Sequence, residues 1–79
     1  MDKELILKAV QAVMDFNEYF NSEEMLISRR KNAGFEFSYY SITMSIHNGA
    51  DWDLYINAQP DSNEQINKFI QKLDELKAV

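Results

Sequence analysis

Residues 45–56 read Ser-Ile-His-Asn-Gly-Ala-Asp-Trp-Asp-Leu-Tyr-Ile. They hold the chain's only histidine, His47, its only tryptophan, Trp52, and two aspartates two apart, Asp51 and Asp53. A histidine with a carboxylate to orient it has the parts of a general base. One imidazole and two carboxylates are also donor types that bind a divalent metal. The surroundings complete neither chemistry. No serine or cysteine stands in a nucleophile motif, and the H-E-x-x-H and EF-hand spacings are absent. The two glycines, Gly34 and Gly49, lie too far apart to form a phosphate-cradling loop. The expectation is therefore no catalytic residue, no metal and no cofactor.

The elements that must position these residues follow from periodicity. Residues 3–20 predict a helix: Leu5, Ile6, Ala9, Val10, Ala12, Val13, Phe16, Tyr19 and Phe20 share one side. Glu4, Lys8, Gln11, Asp15 and Glu18 share the other, while Leu7 and Met14 widen the apolar arc as core edge or partner surface. Residues 62–78 predict a second helix with a stripe of Ile66, Phe69, Ile70, Leu73 and Leu76, where Asp61–Glu64 or Ser62–Gln65 could form a capping box. Between them β-branched and aromatic residues predict three strands, about 24–30, 35–46 and 50–58, punctuated by Gly34 and Gly49. The expected fold is one α+β domain over residues 1–79, in the order α-β-β-β-α. A three-stranded antiparallel meander carries both helices on one face.

Register decides which residues face outward. A two-residue Asn48-Gly49 turn would set apolar residues opposite polar ones, which a one-sided sheet does not allow. A three-residue loop of His47, Asn48 and Gly49 restores the pattern, with Gly49 left-handed beside a bulge. It pairs Ile46 with Ala50, Met44 with Trp52, Ile42 with Leu54 and Tyr40 with Ile56. Trp52 and Leu54 are then expected in the core, and Asp51, Asp53 and Tyr55 on the outer face. Carried back along an unbroken strand, the same parity puts Phe35, Phe37 and Tyr39 outside. With residues 31–34 as the loop, Leu26, Ser28 and Arg30 join that face, and Arg29 opposes Glu36. The competing expectation is a bulge near Tyr39-Tyr40 that turns Phe35 and Phe37 inward, or a chain segment that covers them.

Composition limits the function classes. At 79 residues, with 46% hydrophobic and 27% charged residues, the chain suits one small globular domain without a sizeable enclosed pocket. With no cysteine there are no disulfides and no thiolate chemistry. The start, Met1-Asp2-Lys3-Glu4, is acidic where a signal peptide would be basic, and the hydrophobic runs are short. A cytoplasmic protein that makes no membrane contact is expected. The net charge of −5 is uneven, because Arg29, Arg30 and Lys31 form a basic island in an acidic chain. An acidic body repels nucleic acid and approaches basic surfaces.

The element order resembles that of the double-stranded RNA-binding domain. The resemblance covers topology only. The second helix opens Asp61-Ser62-Asn63-Glu64, where that family sets lysines against phosphate, so duplex binding is not carried over. Two partner surfaces are expected. One is an aromatic patch of Phe35, Phe37, Tyr39 and Tyr55 with Arg30. The other is acidic: Asp15, Glu18, Glu23, Glu24, Asp51 and Asp53. The expected function is a non-catalytic protein-binding module, a small acidic inhibitor that occludes the basic cleft of a nucleic-acid-handling enzyme. It is similar in kind to the inhibitors phages deploy, including anti-CRISPR and anti-restriction proteins, a class analogy resting on no shared motif. Two alternatives stand beside it: binding of single-stranded RNA or DNA on the outer sheet face, and a homodimer that buries that face.

Overall fold

The computed structural model describes residues 1–49 and 51–78. Helix α1 (Lys3–Phe20) leads through a short 3-10 turn at Ile27–Arg29 into strands β1 (Asn32–Phe37), β2 (Ile42–Asn48) and β3 (Asp51–Ala58). Helix α2 (Asn63–Lys77) follows. The three strands form an antiparallel sheet in the order β1-β2-β3. The chain is therefore an α-β-β-β-α domain of the α+β class with an open sheet, as its sequence leads one to expect.

Both helices lie where periodicity puts them, because their ends carry local signals. The Asp2 side chain accepts a hydrogen bond from the Leu5 N–H at 3.0 Å, satisfying one of the free donors at the start of α1. Ser62 takes the N-cap position of α2 but makes no side-chain capping bond, so the Ser62–Gln65 box is not closed at its serine. The helices bury Ala9, Phe16 and Phe20 of α1 and Ile66, Phe69, Ile70 and Leu73 of α2 against Ala33, Ile42, Met44 and Ile46 of the sheet. Each large side chain in that core stabilises the fold by about 1.5–3 kcal/mol relative to exposure.

The strands differ from the expected ones in position. Residues 24–30 form turns and the 3-10 segment rather than a strand, so Arg29 does not oppose Glu36. Gly34 sits inside β1, opposite Ser45. The expected long strand over 35–46 folds back on itself at Ser38-Tyr39-Tyr40-Ser41. There the Ser38 N–H donates to the Ser41 carbonyl at 2.9 Å, and the Ser38 hydroxyl accepts from the Ser41 N–H at 3.1 Å. Serine side chains offer such local bonds as an alternative to the ladder. Apolar burial favours the reversal. On one straight strand Phe35 and Ile42 differ in parity and face opposite ways. Folded at 38–41, Phe35 pairs with Met44 and Phe37 with Ile42, so all four turn toward the helices.

The second hairpin also departs from its expected register. Asn48 pairs with Asp51 and His47 with Trp52, but Ile46 pairs with Leu54, Met44 with Ile56 and Ile42 with Ala58. Asp53 is an extra residue in β3, a bulge between the two halves of the ladder. Gly49 is left-handed, with φ of 59°, as the loop requires. Ala50, expected opposite Ile46, lies outside the described residues. Beyond the bulge, Leu54 and Ile56 keep the expected inward face. Before it the parity reverses, and Trp52 goes to the outer face instead of the core.

Candidate functional site: an open sheet face

The strands direct Gly34 and Glu36 of β1, Thr43, Ser45 and His47 of β2, and Trp52, Tyr55 and Asn57 of β3 to the face opposite the helices. Three of these residues touch. The His47 and Trp52 rings stand 5.0 Å apart at 65°, and the Trp52 and Tyr55 rings 5.5 Å apart at 80°, both edge to face. Edge-to-face contact sets the positive rim of one ring against the negative face of the next, so the three side chains hold one another upright. Trp52 is 60% exposed and Tyr55 59% exposed, so this platform is open to solvent. Gly34 contributes no side chain beside it, and a Cβ there would meet the Ser45 hydroxyl at 3.0 Å.

The bulge at Asp53 builds this platform. Without it Trp52 would share the inward side of Leu54. With it, His47 and Trp52 form a cross-strand pair, and Tyr55 follows on the same side. The bulge also uses Asp53 itself, whose carboxylate accepts from the Lys31 ammonium at 2.7 Å. Asn48 donates to the other oxygen of that carboxylate at 3.4 Å.

The expected aromatic patch is thus divided. Tyr55 is on the outer face. Phe35 is half-buried on the helix side, and Phe37, on the same side at the strand's end, is 51% exposed. Phe37 shares a shallow hollow of about 280 Å3 with Met1, Lys3, Ile6 and Leu7. Tyr39 lies in the 38–41 turn, 87% exposed and in edge-to-face contact with Tyr40 at 4.9 Å. Arg30 is half-buried at the end of the 3-10 turn. The inward placement of Phe35 and Phe37 comes from the tight turn rather than from a bulge near Tyr39-Tyr40. His47 and Trp52 take the place those phenylalanines were expected to hold.

The expected acidic surface also falls into parts. Asp15, Glu18 and Glu24 line an open hollow of about 650 Å3 at the end of α1, together with Tyr19, Met25 and Lys77. Glu23 is exposed in the segment that follows α1. Asp51 is exposed at the start of β3, while Asp53 is engaged by Lys31. His47 packs on Trp52 rather than on either aspartate. Among the described residues no group of three histidine, aspartate or glutamate side chains stands close enough to hold a metal ion.

Two asparagines that the sequence reading did not single out determine how α1 meets the sheet. The Asn17 amide takes both backbone groups of Ala33: its oxygen accepts from the Ala33 N–H at 2.7 Å, and its nitrogen donates to the Ala33 carbonyl at 2.9 Å. One turn on, the Asn21 amide donates to the Lys31 carbonyl at 3.0 Å. Ala33 of β1 and Lys31 just before it are thereby bonded from the side away from β2. Their i, i+4 spacing at the border of the apolar arc is the signal a sequence reading could have used.

Comparison with protein-family models, with curated proteins and with solved structures gives no match. Among the described residues no helix is long and apolar enough to cross a membrane.

Proposed function

We propose that this chain is a non-catalytic binding module whose open sheet face docks a basic surface of another protein. The observation that carries this reading is the exposed platform of His47, Trp52 and Tyr55. Tyrosine and tryptophan give large contact area with few torsions to freeze, and they dominate the centres of protein interfaces. Charge supplies the sign of the partner. The chain carries −5, and the strands place Glu36 on the outer face but no lysine or arginine. A face that stacks nucleobases also needs cations for the phosphates. Lys31, which precedes β1, is held by Asp53. The acidic face therefore suits a basic protein better than a single strand of RNA or DNA.

In its finer form, the module is an inhibitor. Trp52 and Tyr55 anchor the contact, while Asp51 and the acidic end of α1, with Asp15, Glu18, Glu23 and Glu24, stand over a cleft that otherwise holds nucleic acid. The test is affinity capture from the native host, run in parallel with wild type and with Trp52→Ala and Tyr55→Ala. A partner retained by wild type, lost in both variants and released by raised salt supports the reading. A partner retained equally by all three overturns it. A labelled single-stranded oligonucleotide, bound by wild type and lost in Trp52→Ala, would move the assignment to nucleic acid.

A further inference from the structure

The two edges of the sheet are unlike. In an antiparallel ladder, a residue's N–H and C=O point to the same side, and successive residues alternate sides. Asn17 takes both groups of Ala33, so Ala33 points away from β2 and its neighbours Asn32 and Gly34 point toward it. Ser38 bonding to Ser41 keeps the same phase at the other end of the hairpin. Gly34 and Glu36 therefore bond Ser45 and Thr43, which leaves Ile42, Met44 and Ile46 to bond β3. Their partners are Ala58, Ile56 and Leu54, so Tyr55 and Asn57 direct their backbone groups out of the free edge. Helix α1 stands against the β1 edge through Asn17 and Asn21. Among the described residues nothing bonds the β3 edge in the same way; its bulge and its two aspartates lie at the hairpin end, and Leu54–Ala58 carries no charge and no proline.

That edge is self-complementary. A two-fold axis at Tyr55 sets Leu54 of one protomer opposite Ile56 of its partner, and Asp53 opposite Asn57. On the helix side, Leu54 borders a hollow of about 200 Å3 with Lys68, Gln71, Lys72 and Glu75 of α2. Because Lys68 and Glu75 share that hollow with Leu54, the neighbour of Tyr55, pairing about this axis brings Lys68 of one α2 toward Glu75 of the other, twice. Apolar residues meet apolar ones, and cations meet anions. We propose that β3 pairs antiparallel with β3 of a second copy, joining two sheets into one of six strands. The outer faces stay open, so the dimer presents two Trp52–Tyr55 platforms side by side. The pairing does not depend on what those platforms bind.

Sedimentation velocity at physiological salt, over a thousand-fold range of concentration, tests this. The wild type should pass from monomer to dimer. Asn57→Pro removes an N–H that is free in the monomer but needed in the dimer, and it should remain monomeric with an unchanged far-UV spectrum. Lys68→Glu and Glu75→Lys should each weaken association about tenfold, since each sets like charges together in two symmetric pairs. The double reversal should recover it. Amide exchange gives a readout that needs no variant: the Tyr55 and Asn57 amides should be fast at low concentration and slow at high. A wild type that stays monomeric throughout overturns the proposal. So does a dimer that forms equally well in Asn57→Pro or is not rescued by the double reversal. Loss of partner capture in Trp52→Ala with the dimer intact separates this proposal from the docking function.

Discussion

At the scale of single residues, one side-chain amide joins the helix to the sheet. Asn17 is partly buried, and both its hydrogen bonds go to Ala33. Replacing it by alanine leaves a backbone N–H and a carbonyl without those partners in a place that water reaches poorly. Asn17→Ala should cost about 2 kcal/mol and speed exchange of the Ala33 amide, measured by urea unfolding and hydrogen exchange. Asn21, exposed at the helix end, should cost less when replaced. Among the described residues Gly49 alone has a left-handed backbone, and nothing lies within 4 Å of where a Cβ would stand. Gly49→Ala should therefore lose about 1 kcal/mol through backbone conformation alone, lowering the urea midpoint without changing the slope. The need for a left-handed Gly49 was legible from the sequence. The role of Asn17 was not, because its partner lies sixteen residues away in the chain.

At the scale of elements, the bulge in β3 separates what stabilises the fold from what is left for binding. Met44 and Phe69 are fully buried, whereas Trp52 stands on the outer face. Phe69→Ala should cost about 3–5 kcal/mol, and Trp52→Ala about 1 kcal/mol or less, despite the greater area of tryptophan. Had Trp52 paired with Met44 in the core, its loss would rank with that of Phe69, so the two unfolding midpoints distinguish the registers. The helices were legible in full because their signal, a 3.6-residue period of apolar residues, is local. The strands were legible as three, but shifted. A period of two reports which residues alternate, not where the chain reverses. The Ser38-Tyr39-Tyr40-Ser41 turn contains no glycine, asparagine or proline to announce it.

At the scale of the whole molecule, one core ties both helices to all three strands, and the chain has no cysteine to cross-link it. Unfolding should be a single transition worth roughly 0.05–0.15 kcal/mol per residue, with coincident midpoints by far-UV circular dichroism and Trp52 fluorescence. The sole tryptophan should be open to acrylamide in the native state, since it is 60% exposed. Net charge acts at this scale too. It sets the sign of the surfaces the molecule approaches, and salt should weaken those approaches.

The sequence by itself determined the element order, the two helices, the helix-side core of Ile42, Met44 and Ile46, and the inward direction of Leu54 and Ile56. Each follows from periodicity within a segment. Only the tertiary structure decided that Phe35 and Phe37 face the helices, that Trp52 faces out, and that Asn17 and Asn21 close one sheet edge. These outcomes depend on a chain reversal and a one-residue bulge. In a sheet, either event exchanges inside for outside along every residue between it and the next turn, and the competing arrangements differ only in the apolar area they bury across strands.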